Sequence, residues 1–451
     1  MDATDDVAHT GFEMHPRRIG ELVVWGVVWM PLVLWGIGGG MDAAVHGRGA
    51  RGLLFAVGQG AGLVGMAMLS VSFVLSARLR WLEPYFGGLD GLYRVHHRLG
   101  VAAVAALSVH PLAYAVRFLP GEPGRALGLL LPGHARWAVD AGVYAFWSLL
   151  LLMGLTFASW VPYDKWKGSH KALALVLVGG AVHMWFMEPT RGQTVAVATQ
   201  LGLRAYMTSL VGVGLVAATY KTLVLPLWPQ PRYTVASVER RNADVMEVTL
   251  SPEGALLDFV PGQFVFVTVH DEALPTEAHP YTLCGPAEAE TLSITVKALG
   301  DYTRRLYNCL ESGMTVSLEG PYGRFDYRTG GNRQVWVAGG VGVAPFLSWA
   351  RNRARDNTVS SAVDFYYCVH DRSDAVYLDE LEALAREASW LNVQLVCSVE
   401  DGHLHADDIA NLDGVDLFLC GPQSLTRDLR RQCRQRGVPD RRIHFEDFEF
   451  R

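Results

Sequence analysis

The 451-residue sequence has only six cysteines, and no two of them form a CxxC pair. Standing singly at Cys284, Cys309, Cys368, Cys397, Cys420 and Cys433, they exclude a disulfide framework, a cysteine zinc site and an appended iron–sulfur cluster. Charge is scarce as well: 19% of residues are Asp, Glu, Lys or Arg and the net charge is −6, so there is no basic footprint for nucleic acid. No segment repeats and no tract is of low complexity. The glycine-rich turn at 339–345 is not the GxGxxG fingerprint, so a true Rossmann domain is not indicated there. The stretch 1–20 lacks a cationic region running straight into a cleavable apolar run, so the first apolar segment reads as a retained anchor rather than a signal peptide.

Hydrophobicity is abundant, at 50% of residues, and its excess lies before about Leu227. Six segments there are apolar enough to span a bilayer at about 20 residues per helix: 21–39, 52–77, 95–118, 137–161, 169–187 and 205–225, the last bracketed by Arg204 and Lys221. Basic residues lean to one side, with Arg17, Arg18, Arg78, Arg80, Arg94, Arg98, Lys165, Lys167 and Lys171 against Arg48, Arg51, Arg117, Arg125, Arg136, Arg191 and Arg204. The expectation is a multi-pass protein of an inner or plasma membrane, with both termini in the cytoplasm.

Two of these segments carry histidines near both ends. His96 and His110 are fourteen residues apart, which returns to within about 40° of one helix face about 21 Å further along the axis. His170 and His183 are thirteen apart, with a similar rise and a poorer angular match. The third and fifth spans would run parallel, so His96 would share a depth with His170 near the inner face and His110 with His183 near the outer face. A lone buried histidine is more often a hydrogen-bonded core residue, but two matched pairs on apolar helices point to two stacked haems with bis-imidazole ligation. Without a CxxCH motif these would be non-covalent b-type haems. His97 remains a rival to His96.

The proline-rich stretch LVLPLWPQPRYTV marks a boundary near Pro229. Beyond it, YTVASVERRNADVMEVTLSP, GQFVFVTVH and ETLSITVKAL read as strands of a small antiparallel barrel, and from about Asn332 the pattern turns to strand–helix alternation with buried parallel strands. The expected domains are 1–228, a six-helix transmembrane bundle; 229–330, the barrel; and 331–451, an α/β parallel-sheet domain. In the barrel, His279, Pro280, Tyr281 and Thr282 form a strand end suited to a flavin: Tyr281 to stack on the ring, Thr282 to bond near its reactive nitrogen, His279 to face the phosphates or ribityl chain. Lys297 offers charge, Gly300 close backbone approach, and Asp301, Tyr302 and Thr303 the opening of a helix where the Thr303 hydroxyl and N–H groups meet a pyrophosphate. EGPYGRF reads as a glycine-rich or hairpin turn. In the third domain Gly339, Gly340 and Gly342 leave room for a phosphate, with Ala344 and Pro345 in the first turn of the following helix. Cys420, Gly421 and Pro422 end a later strand, where the thiol can approach a nicotinamide.

In their order these motifs resemble the ferredoxin–NADP reductase superfamily over about 230–451, with an FR-type FAD domain. Taken whole, the chain resembles the ferric reductase and NADPH oxidase family. HPYT is similar to that family's HPFT-type flavin motif, Gly339–Pro345 to its pyridine-nucleotide loop, Cys420–Pro422 to its cysteine–glycine–proline motif, and RVHHRLG and WKGSHK to the entries of its haem helices. The resemblance implies electron flow from cytoplasmic NADPH or NADH through FAD and two b-type haems to an acceptor outside, a metal chelate or dioxygen. The alternative is a haem-binding membrane subunit that delivers electrons to, or senses redox state for, a protein partner. The segment CVHDRSD puts His370 and Arg372 where the oxidase branch grips the adenosine 2′-phosphate, leaving NADPH against NADH open. The resemblance also implies an aromatic ring that covers the flavin until nicotinamide displaces it, Phe450 or Phe448 here.

Overall fold

The computed structural model describes residues 16–40, 49–158, 160–161, 163–187, 197–355 and 361–446. The chain divides into two compact units, one of residues 1–86 and 91–228, the other of residues 87–90 and 229–451.

The first unit is helical: α1 Pro16–Trp35, α2 Gly49–Ser76, α3 Leu89–Val116, α4 Trp137–Phe157, α5 Tyr163–Lys171, α6 Leu173–Phe186 and α7 Val197–Thr219. Among the described residues five helical stretches are long and apolar enough to cross a membrane: Ile19–Gly40, Gly49–Ser76, Leu89–Val116, Trp137–Phe157 and Thr199–Leu227. The expected fifth span is two helices rather than one, α5 of 9 residues and α6 of 14. At the joint the Ala172 N–H reaches the Ser169 carbonyl and the Leu175 N–H the Ala172 carbonyl, so the winding tightens for one turn. α2 is the middle helix, packing on α1, α6 and α7. It is mostly buried, as its run of Gly, Ala and Ser permits close neighbours. Large apolar side chains elsewhere face outward, among them Leu22, Leu151, Leu175 and Val216. Exposed apolar surface on that scale suits a lipid surround rather than water.

The second unit begins with six strands: β1 Arg232–Arg240, β2 Val245–Pro252, β3 Phe264–His270, β4 His279–Thr282, β5 Leu292–Lys297 and β6 Thr315–Tyr322. They form an antiparallel sheet in the order β4-β3-β6-β1-β2-β5, and a single bridge from Leu283 to Ile294 links the two edges. Alternating Val, Leu and Ile side chains fill one face. Of the stretch read as a glycine-rich turn, residues 319–322 are strand, running on in β6 and pairing Glu319 with Phe266 and Tyr322 with Phe264, while Gly323, at φ +102, leaves the strand. Helix α8, Asp301–Cys309, follows β5.

Five parallel strands follow: β7 Arg333–Gly339, β8 Ala362–Val369, β9 Leu391–Cys397, β10 Asp416–Cys420 and β11 Ile443–Glu446, in the order β11-β10-β7-β8-β9. Helices α9 Ala344–Arg353, α10 Leu378–Glu387 and α11 Gln423–Gln435 connect them. Strand β11 was not expected from sequence; its IHFE run is short and half polar, and it forms only by pairing with β10. The order reverses between β7 and β10, and the crevice beyond the carboxyl ends of strands at such a switch is where open α/β sheets bind ligands. An aromatic cluster of Trp336, Phe346, Trp349, Phe365 and Phe418 packs beneath it.

Candidate functional site

The helices bring the four histidines together in two pairs. The ring centres of His96 and His170 lie 6.1 Å apart, and those of His110 and His183 6.0 Å apart. Every ring is anchored through Nδ1. His96 meets the hydroxyl and carbonyl of Ser72 at 2.8 and 2.9 Å, His110 the Gly58 carbonyl at 2.7 Å, His183 the Ala138 carbonyl at 2.8 Å and His170 the Thr156 hydroxyl at 3.3 Å. With Nδ1 occupied, Nε2 is the nitrogen left for a metal, the arrangement usual for ligating histidines. A spacing near 6 Å is what two nitrogens each about 2 Å from one metal, plus about 1 Å from nitrogen to ring centre, require. Among the described residues no cluster of three or more His, Cys, Asp or Glu could hold a bare ion. A porphyrin iron needs only the two axial donors, so the residues present fit haem. His97, the rival to His96, points to the exposed side.

Two glycines make room for the outer pair. A Cβ on Gly62 would come within 2.6 Å of the His110 ring, and one on Gly142 within 2.5 Å of the His183 ring. Neither glycine, nor Ser72 or Thr156, stood out in the sequence, because nothing local marks a residue whose task is to face a side chain on another helix.

In the second unit, β4 places His279 and Pro280 half-buried and Tyr281 and Thr282 buried. Proline is tolerated because β4 is an edge strand. The His279 ring stacks on Tyr302 at 3.8 Å and its Nε2 meets Glu277 at 3.2 Å. Burial and the Glu277 charge push the Tyr302 phenol up to about 12. Burial, then the neighbouring Tyr302, pushes the Tyr281 phenol up as well, so both stay protonated. At α8, Gly300 is the cap and the Thr303 hydroxyl already accepts the N–H groups of Leu299 and Gly300, both at 2.9 Å. The hydroxyl expected to hold a pyrophosphate is therefore closing its own helix start, with Asp301 beside it bonding the Tyr302 N–H. Lys297 pairs with Asp244 at 3.5 Å.

The glycine loop and the cysteine–glycine–proline turn meet at the switch between β7 and β10, where Ala338 lies opposite Cys420. The glycines divide their work in a way the sequence reading had not separated. A Cβ on Gly342 would come within 2.5 Å of the Cys420 carbonyl, and one on Gly339 within 2.6 Å of Pro422, so these two let the loops touch. Gly340 has φ +53 and nothing within 4 Å of a would-be Cβ, and it is the glycine left beside open space. Gly421 completes the contact against Gly339, and Ala344 and Pro345 open α9. The Cys420 side chain is fully buried. His370 and Arg372 follow β8 on exposed positions, with His370 Nδ1 3.2 Å from the Ser398 hydroxyl. Phe448 and Phe450 lie outside the described residues.

A charged network that sequence reading missed joins the flavin lobe to the nucleotide lobe. Arg351 of α9 reaches Glu247 of β2 at 2.7 Å and Glu380 of α10 at 2.7 Å, and Arg241 binds the far oxygen of Glu247 at 2.7 Å. Burial alone would raise the Glu247 carboxyl, but the hydrogen bonds and charges of Arg351 and then Arg241 outweigh it and hold it low. Cys284 lies beside this pair, its thiol pushed up to about 12 chiefly by burial and therefore unreactive. Ser348 and Trp349 of α9 donate to the Gly285 and Pro261 carbonyls at 2.7 and 2.9 Å, so this helix of the nucleotide lobe is fastened to the flavin lobe.

Residues 61–181 match the ferric reductase like transmembrane component family, 231–326 an FAD-binding domain and 336–431 an oxidoreductase NAD-binding domain. The chain is similar to NADPH oxidase 1 of Mus musculus, 24% identical over 273 residues, 48% of this chain and 45% of that protein. The ferredoxin–NAD(+) reductase component of an alkene monooxygenase system from Xanthobacter autotrophicus is 32% identical over 242 residues, 49% of this chain and 72% of that protein. A solved flavohemoglobin from Malassezia yamatoensis, with bound FAD and heme, shares the fold with a TM-score of 0.50 at 16% identity, over 88% of this chain and 98% of that one. The matched stretch spans about half the length of the NADPH oxidase relative. The chain therefore carries, in the order found in the ferric reductase and NADPH oxidase family, a ferric-reductase-like transmembrane component, an FAD-binding domain and an oxidoreductase NAD-binding domain.

Proposed function

We propose that this chain carries electrons across a membrane, from NAD(P)H in the cytoplasm through FAD and two b-type haems to a small acceptor on the outer side, a ferric or other metal chelate or dioxygen. The observation that carries the reading is the pairing of His96 with His170 and of His110 with His183, every ring fixed through Nδ1. FAD supplies the conversion of a hydride into single electrons and haem supplies their one-at-a-time passage. The protein does the placing. Gly340 and the turn at Cys420–Pro422 would receive the nucleotide, His370 and Arg372 its adenosine end. β4 and the start of α8 would line the flavin, and Tyr281 and Thr282 would orient its ring. The ion network on Arg351 would keep the two lobes at one separation. Phe450 or Phe448 would cover the flavin between turnovers.

A reduced-minus-oxidised absorbance spectrum of the detergent-purified protein, with NADPH and NADH tried separately without oxygen, tests this. Sharp b-type bands are expected with at least one nucleotide. Flavin bleaching with no haem signal even under dithionite would overturn the reading. Steady NAD(P)H turnover with a small acceptor alone is also expected; turnover that begins only when a protein partner is added would favour the electron-delivery subunit instead.

A further inference from the structure

Next to the inner histidine pair the backbone is irregular at two places, and both irregularities carry a cation. After α2, Arg78 takes φ +55, a left-handed conformation that strains a side-chain-bearing residue. Beyond α7 the winding widens to a π-turn over Tyr220–Val224, which re-aims Lys221. The two cations converge on Tyr93. The Arg78 Nε donates to the Tyr93 hydroxyl at 3.0 Å, and the Lys221 Nζ lies 5.9 Å from the Tyr93 ring centre. Tyr93 in turn stands edge-on to His96, 6.3 Å between ring centres. Strained backbone and π-turns persist where the rest of the structure gains by them.

We infer that Arg78, Tyr93 and Lys221 form a carboxylate clamp for the propionates of the inner haem, with Lys221 raising that haem's potential. The inference rests on the haem reading above and adds residues to it that ligate no metal. A b-type haem carries two carboxylates at its rim. Two cations and a phenol gathered beside the imidazole pair are the groups that receive them through charge-assisted hydrogen bonds. A positive charge close to the iron favours the reduced, less positive state, so the clamp makes the inner haem a better acceptor from flavin.

Spectroelectrochemical titration of the haem-loaded full chain in detergent resolves the two midpoints. Lys221→Gln is expected to lower one midpoint by a shift equivalent to about tenfold in a one-electron equilibrium, or about 59 mV, and to leave the other in place. Lys221→Arg should restore it, and Tyr93→Phe should fall between. If Lys221→Gln sheds one haem outright, recovery of that haem in Lys221→Arg supports the clamp, and failure to recover overturns it. Two unmoved midpoints in Lys221→Gln with full haem content would overturn the clamp and leave the haem reading standing. Loss of flavin in place of a haem shift would reassign the cations to a flavin phosphate and equally overturn it. A wild-type protein that takes up no haem removes the reading and the clamp together.

Discussion

In the membrane unit each of the four paired histidines is held through Nδ1 by an uncharged oxygen on another helix: Gly58 and Ala138 carbonyls for the outer pair, Ser72 and Thr156 for the inner. In the reductase unit the equivalent positioning is done by full charges, Glu247 between Arg241 and Arg351, with Glu380 on the far side of Arg351. The difference follows from the surroundings. An ion within an apolar bundle is expensive, whereas a carbonyl already present in a helix costs nothing extra to face inward. Between two lobes at the edge of water, opposite charges compensate each other and specify one docking geometry, provided every partner remains. The membrane unit is thus vulnerable to shape and the reductase unit to charge.

The largest effect separating the two should come from the ligands. His110→Ala and His183→Ala should each remove one of two haems, about halving haem per flavin, and should stop electron delivery to an outer acceptor. Reduction of flavin by NAD(P)H should persist. A haem assay paired with stopped-flow flavin bleaching reads both, and a full haem complement in both variants would sink the assignment. On the other side, Arg351→Met strands the Glu247 carboxylate with a single partner and should cost about 3 kcal/mol of reductase stability, seen as flavin release at lower denaturant. Haem spectra should not change. If Arg351→Met leaves flavin release where it was, the charged latch carries no weight.

A smaller effect distinguishes shape from charge. Gly62→Ala and Gly142→Ala push a methyl into the His110 and His183 rings and should cost about 1–3 kcal/mol, distorting the spectrum of one haem. Gly154→Ala, with nothing within 4 Å, is the silent control. Equal behaviour of all three would count against ring positioning by glycine. The smallest effect should be in acid. The Glu247 carboxyl is held below its ordinary value of about 4.3, so its stabilisation is present above that pH and is lost as pH falls through the lower folded value. Melting of the flavin signal against pH should show that acid limb in the wild type and a flatter one in Glu247→Gln; coincident curves would refute the linkage.

What was legible in the sequence was whatever depends on local periodicity. A helix repeats every 3.6 residues, so the intervals between His96 and His110 and between His170 and His183 already put four rings at two depths. The strands β1 to β3, β5 and β7 to β10, with helices α10 and α11, likewise announce themselves through alternating or unbroken apolar runs. Motif order identified the flavin and nucleotide lobes.

What only the tertiary structure decided concerns partners distant in the chain. Glu247 and Arg351 are 104 residues apart, Ser72 and His96 24, Gly58 and His110 52. No window along the sequence joins them, because each contact exists only once helices or lobes pack. The same reason explains the misread elements. EGPY looks like a turn until β3 pairs with it, and IHFE gives no strand signal until β10 pairs with it. The chain's own periodicity determined which residues could face a common site. Packing alone determined which oxygen, charge or missing side chain holds each of them there.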